Sequence, residues 1–236
     1  MGRRRSPAAI APVTVSAMNK LLAEALGTFA LVFTGTGAIV IDTVQPGSVT
    51  HVGISLVFGL IVAAMIYTIG DVSGCHINPA VTIAFAVARR FPLRSVGPYI
   101  AAQAVGAFAA SALLRVLFPG DDKLGATLPA GAAWQSFVLE VVLTWLLMFT
   151  VLSVSSGSKE KGIMAGVAVG AIIALEALFA GPICGASMNP IRSLAPAVVS
   201  GHLEHLWVYL LAPVAGAVVA VPLFKLVYSE SSSTTS

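Results

Sequence analysis

Charge is what this sequence has least of: Asp, Glu, Lys and Arg together make up 10% of its 236 residues, where a soluble domain carries about 25%. A chain so poor in charge cannot clothe a water-exposed fold, and a soluble globular protein is excluded. Cysteine is nearly absent as well. Cys75 and Cys184 are the only two, which leaves no disulfide framework and no thiolate metal cluster to build on. The excess of basic over acidic residues is only +3, too little to mark a nucleic-acid surface, and it reads first as a topology signal. What is present is apolar: 57% of the residues are hydrophobic, in blocks that recur along the whole chain. That pattern describes a polytopic membrane protein.

Crossing about 30 Å of hydrocarbon takes roughly 20 mostly apolar residues, and six stretches qualify: 21–44, 52–69, 96–118, 134–154, 163–179 and 206–228. Two further apolar stretches, 78–88 and 189–199, are half that length. They are predicted to be re-entrant half-helices, which membranes tolerate only where protein or a wet cavity surrounds them. Basic residues set the direction. Arg3, Arg4, Arg5 and Lys20 precede the first span, Arg89, Arg90 and Arg94 the third, and Lys159 and Lys161 the fifth, while Lys225 closes the sixth. The positive-inside rule makes all four places cytoplasmic, with both termini inside a multi-pass protein of a plasma or bacterial inner membrane. No cleavable signal is recognised in the first residues. Met1-Gly2-Arg3-Arg4-Arg5-Ser6 fits a myristoylation pattern, but a chain with six spans needs no lipid anchor. The predicted organisation is a cytoplasmic tail (1–18), a membrane domain (19–228) and a disordered cytoplasmic tail (229–236).

The membrane domain repeats itself. Gly74-Cys75-His76-Ile77-Asn78-Pro79-Ala80-Val81-Thr82 is matched by Gly185-Ala186-Ser187-Met188-Asn189-Pro190-Ile191-Arg192-Ser193, and each half carries an early glutamate, Glu24 or Glu140. The repeats cover about 19–118 and 131–228. Three spans per repeat is an odd number, so the second copy must be inverted, and the two Asn-Pro tips meet near the midplane. Asn is a strong N-cap and Pro is favoured at the first helical position, so each pair reads as a helix start. The chain before each cap is expected to be extended. That frees the carbonyls of Gly74, Cys75, His76, Ile77, Gly185, Ala186, Ser187 and Met188 to form a ladder of acceptors, with the amides of Asn78 and Asn189 as donors at the centre. Two facing helix N-termini add roughly half a positive charge each, opposing cations while a neutral hydrogen-bonding solute passes. Arg192, an arginine inside an apolar half-helix, is functional by default.

With these motifs in place, the chain resembles the aquaporins, or major intrinsic proteins, from about Asn19 to Tyr228. The resemblance is carried by Ala23-Glu24-Ala25-Leu26-Gly27-Thr28-Phe29, the two Asn-Pro segments, and Gln103-Ala104-Val105-Gly106-Ala107. The run Gly181-Pro182-Ile183-Cys184-Gly185 before the second Asn-Pro looks most like the plant nodulin-like intrinsic proteins and their bacterial relatives. The resemblance implies an all-α fold of six transmembrane helices plus two half-helices in an inverted repeat, no enzyme activity, no cofactor, no metal and a homotetramer with one pore per subunit. It also implies a constriction of four residues. Spacing from the asparagines assigns Phe58, Ala177, Ala186 and Arg192. Water channels usually have a histidine where Ala177 stands, and glycerol channels usually have two aromatics where only Phe58 is found. The expected aperture is therefore amphipathic and wider than a water-only filter, open to water, glycerol, urea or undissociated metalloid acids and closed to protons and ions. Ser193 and Ala197 look water-channel-like, whereas Tyr209-Leu210 looks nodulin-like.

Other residues receive structural readings. Glu24 and Glu140 are expected to hold the loop backbones, and Glu176 to face a helix or subunit interface. Ile191, where the family usually has alanine, is expected to pack where the two loops touch. His76 is read as a pore-wall histidine, with a pH-sensitive gate as the sharper alternative. Gly162, Gly166 and Gly170 suit close helix packing. His51, His202 and His205 make no metal spacing, and no disulfide is expected between Cys75 and Cys184. Against the passive channel stand a strictly water-selective pore and, further off, an ion-coupled secondary transporter, since inverted repeats with broken helices also build carriers. A carrier needs a coupling charge at the midplane, where this chain is predicted to put two amides. An intramembrane enzyme finds no nucleophile–base constellation.

Overall fold

A computed structural model describes residues 15–156, 158 and 162–228. Arg3, Arg4, Arg5, Lys159, Lys161, the myristoylation pattern and the tail 229–236 lie outside the described residues. Among the described residues, all regular structure is helical, in the order α1 (Ala17–Val44), α2 (Thr50–Ser73), α3 (Pro79–Val87), α4 (Leu93–Leu117), α5 (Ala133–Val154), α6 (Ala165–Cys184), α7 (Pro190–Ser200) and α8 (Leu206–Val227). Six of these, all but α3 and α7, are long and apolar enough to cross a bilayer.

Local chemistry explains the boundaries. α1 begins at Ala17, ahead of the expected edge at residue 21, because the Ser16 side chain caps it by accepting from the Asn19 N–H at 3.1 Å. α2 and α6 run to Ser73 and Cys184, several residues past the expected ends at 69 and 179, and each stops at a glycine in the left-handed conformation. Those glycines are Gly74 (φ 88°) and Gly185 (φ 81°), equivalent positions of the two repeats. α3 and α7 each start at proline behind an asparagine cap.

α1 packs between α2 and α4, and α5 packs the same way between α6 and α8. α2 against α6 joins the halves, while α3 and α7 are each wedged against both α4 and α8. Glycine makes the tightest crossings. A Cβ on Gly106 would lie 2.0 Å from the Ala25 carbonyl oxygen, and one on Gly216 would lie 2.2 Å from that of Val141, so the same backbone approach recurs in both halves. At the joint between halves, a Cβ on Gly59 would lie 2.4 Å from the Gly170 carbonyl oxygen, and one on Gly170 would lie 2.6 Å from that of Gly59. Gly166 faces the Tyr67 ring in the same way, but Gly162 precedes α6 and has nothing within 4 Å. The expected glycine stripe therefore holds two packing residues and not three. The outer faces leave large apolar side chains such as Leu22, Leu60, Val105 and Leu211 exposed, as a lipid-facing surface requires.

Candidate functional site

The two half-helices meet end to end. Asn78 and Asn189 are extended (φ −157° and −149°), and each side-chain oxygen caps its own helix, Asn78 accepting from the Ala80 N–H at 2.9 Å and Asn189 from the Ile191 N–H at 3.1 Å. Each side-chain amide reaches across to the other loop: Asn78 donates to the Met188 carbonyl at 2.8 Å and Asn189 to the Ile77 carbonyl at 2.9 Å. At the last rungs of the expected ladder, the Ile77 and Met188 carbonyls each give one lone pair to the opposite asparagine and keep the other. An amide nitrogen has two hydrogens, so each asparagine keeps one for another acceptor.

The loops before the caps are not extended strands. Gly74, Cys75 and Ile77 have φ of 88°, 49° and 43°, and Gly185, Ala186 and Met188 repeat the pattern at 81°, 40° and 53°. Left-handed backbone costs a non-glycine residue roughly 1–2 kcal/mol, and it persists because the loops are held from behind. Both glutamates are fully buried. The Glu24 carboxylate accepts from the His76 and Ile77 N–H groups at 2.8 and 2.7 Å, the Ser73 hydroxyl at 2.7 Å and the Gln103 amide at 2.8 Å. The Glu140 carboxylate accepts from the Ser187 and Met188 N–H groups at 2.7 and 2.8 Å.

A cavity of about 150 Å³ runs through this junction, room for about five waters at roughly 30 Å³ each. Phe58, Ala177, Ala186 and Arg192 line it together with Asn78, Asn189 and the loop residues Gly74, Cys75, His76, Ile77, Ser187 and Met188. Gly185, Pro79, Ala80, Pro190 and Ile191 are not brought to its wall. The Ile191 side chain is buried in a cluster with Val32, Ala107 and Ala110 of α1 and α4.

Arg192 is 2% exposed. Its guanidinium donates to the Gly125 carbonyl at 2.9 Å and stands 4.9 Å from the centre of the Phe58 ring, within the range of a cation–π contact. Sequence reasoning missed Gly125 and its loop. Its signal was a glycine in a polar run, Asp121-Asp122-Lys123-Leu124-Gly125, but nothing in that run points at Arg192. The same loop supplies Thr127, which donates to Ser193 at 2.7 Å. His76 is buried, with Nδ1 3.1 Å from the Thr82 hydroxyl and its ring 4.9 Å from Phe85 and 4.8 Å from Phe91. Glu176 is fully buried and has no protein partner for either carboxylate oxygen. Cys75 and Cys184 are both free and buried. Among the described residues no three His, Cys, Asp or Glu side chains gather as a metal site, and His202 pairs instead with Asp122 at 3.2 Å.

Comparison with known proteins agrees with this geometry. The profile of the family described as Major intrinsic protein matches residues 12–224. Aquaporin NIP1-1 of Oryza sativa subsp. japonica is 46% identical over 215 residues, covering 91% of this chain and 76% of the relative. Nodulin-26 of Glycine max is 44% identical, covering 91% and 80%. The X-ray structure of the aquaglyceroporin from Plasmodium falciparum superposes with a TM-score of 0.79 at 27% identity, covering 89% of this chain and all of that one. Profile, relatives and structure converge on one conclusion: the chain belongs to the major intrinsic protein family, whose members are membrane channels for water and small solutes and not enzymes.

Proposed function

We propose that this chain forms a passive pore for water and small uncharged solutes such as glycerol, urea or undissociated metalloid acids, with Phe58, Ala177, Ala186 and Arg192 as its selective aperture. The observation that carries the reading is that these four residues line the same cavity as Asn78 and Asn189. Two alanines opposite one ring and one guanidinium leave an opening with an apolar side and a donor side, suited to a solute with both a carbon face and hydroxyls. A histidine at residue 177 would narrow it. The remaining amide hydrogens of Asn78 and Asn189 offer donors at the centre, and the loop carbonyls of residues 74–76 and 186–187 offer acceptors on either side. The facing N-termini of α3 and α7, with Arg192, set a positive field against cations and relayed protons. Likeness to a protein titled an aquaglyceroporin supports the wider solute range. In this reading residues 19–228 are the channel domain, both termini are cytoplasmic in a plasma or bacterial inner membrane, and four subunits assemble with one pore each.

Stopped-flow light scattering on proteoliposomes tests it, reading osmotic shrinkage for water and re-swelling for glycerol on one preparation against empty vesicles. Fast glycerol re-swelling is the expected result. Fast water flux without glycerol flux would replace the proposal with a strictly water-selective pore, and solute uptake collapsed by a protonophore would replace it with a coupled carrier.

A further inference from the structure

The aperture has a fifth determinant that does not touch the solute. We propose that Gly35 of α1 sets the width of the opening, because the absence of a side chain there lets the Phe58 ring stand back from Arg192. This inference rests on the four-residue aperture of the preceding section.

A Cβ built on Gly35 would lie 2.2 Å from Cε1 of Phe58 and 2.6 Å from both Cδ1 and Cζ. Those three atoms are one edge of the ring, so the edge rests in a notch that only glycine leaves open. A methyl group there needs the ring to move by about 1 Å to reach ordinary contact. An aromatic ring cannot fold away as a flexible side chain would, and α1 blocks it on the notch side. The open direction is the cavity that Phe58 lines and the guanidinium 4.9 Å from the ring centre.

Arg192 has no matching freedom to retreat. Its guanidinium is bonded to the Gly125 carbonyl at 2.9 Å, and Gly125 is pressed on α1 in turn, where a Cβ would fall 2.8 Å from the Thr36 Cβ. Consecutive residues of α1, Gly35 and Thr36, thus stand behind the aromatic and the cationic walls. The helix acts as a ruler for the distance between them.

The inverted repeat shows that glycine is not demanded by the helix itself. Gly59 and Gly170 face each other as repeat mates, which pairs Phe58 with Val169, and the shared glutamates pair Gly35 with Val151. Val151 and Val169 both line the cavity. One half places the smallest residue against a large ring, and the other places two of middle size, so residue 35 is matched to residue 58.

The test is a double-mutant cycle on the full chain in proteoliposomes, reading water and glycerol flux for G35A, F58A and G35A/F58A, with thermal melts and size-exclusion profiles as fold controls. G35A is expected to lower glycerol flux roughly tenfold while water flux changes less than about twofold, and to have no further effect once Phe58 is alanine. If G35A does not fold but G35A/F58A folds and conducts, the clash with the ring is confirmed directly. An equal loss of glycerol flux with and without Phe58, unchanged fluxes in G35A, or failure of both glycine variants to fold would each overturn the proposal. A177H and F58A serve as the reference: if neither alters the glycerol-to-water ratio the aperture reading itself fails, whereas if they alter it and G35A does not, only Gly35 is wrongly assigned.

Discussion

The two halves of the molecule solve one problem with different means. Each must hold a loop in left-handed backbone while leaving some of its carbonyls unused, and each does so with a buried glutamate from its first helix. Glu24 gathers four donors, two from the backbone and one each from Ser73 and Gln103. Glu140 accepts two backbone N–H groups, from Ser187 and Met188, with the Cys184 thiol as its one side-chain donor. The shared part, two adjacent loop amides per carboxylate, is the part the loop conformation requires. The rest differs because the side chains around each loop are free to serve its own end of the cavity. In the first half they brace the loop further, with Tyr99 donating to the Ser73 carbonyl at 3.0 Å and Gln103 also donating to Thr82 at 3.0 Å. In the second half Thr127 donates to Ser193 at 2.7 Å, beside Arg192.

The largest expected effect breaks this comparison at its stronger side. Glu24→Ala strands four buried donors at roughly 1–3 kcal/mol each and is expected to abolish the folded protein, while Glu140→Ala strands two and leaves a protein with a lowered melting midpoint in detergent. Equal losses would show that the extra donors on Glu24 add nothing. Next comes Ala177→His, which leaves both glutamates in place and should cut glycerol flux roughly tenfold with water flux retained. Unchanged selectivity in a folded variant would mean that the register of the aperture is wrong. A smaller effect, of opposite sign, is expected at Glu176, whose carboxylate is buried without a protein partner. Its replacement by methionine removes that burden and should raise stability by roughly 1–3 kcal/mol, read as an upward shift of the melting midpoint, and a downward shift would mean that the carboxyl has a structural task. Smallest of all, Gly162→Ala should move stability by less than about 0.5 kcal/mol, whereas Gly170→Ala, with the Gly59 carbonyl in its path, should be clearly destabilising.

Much of this was legible before any fold was known. Hydrophobic run length separated spanning from half-spanning segments, and α3 and α7 begin one residue after their asparagines because Asn-Pro carries its own capping rule. The repeat placed Glu24 and Glu140 in equivalent positions, and the family resemblance, placed by spacing from the asparagines, picked out Phe58, Ala177, Ala186 and Arg192, which line one cavity. What was not legible depends on distant segments. The Ile77 and Met188 carbonyls are claimed by residues more than a hundred positions away. Gly125 could not be tied to Arg192, since an N–H to carbonyl bond leaves no trace in residue type at the acceptor. The size of Ile191 was legible, but its packing with Val32, Ala107 and Ala110 was not, because a bulky residue shows its size in the sequence and not its direction.

The sequence alone therefore determined everything governed by local or periodic rules: the membrane setting, the count of spans, the inverted repeat and the capped half-helices. Hydropathy, helix capping and chain parity act within a few residues or by simple counting, so no coordinates are needed to apply them. Only the tertiary structure decided how the loops are strained and held, which carbonyls stay unused, and where the α1 backbone stands behind the aperture. Those properties are distances between surfaces brought together by packing, and the notch at Gly35 that receives the Phe58 ring exists only when α1 and α2 are in contact.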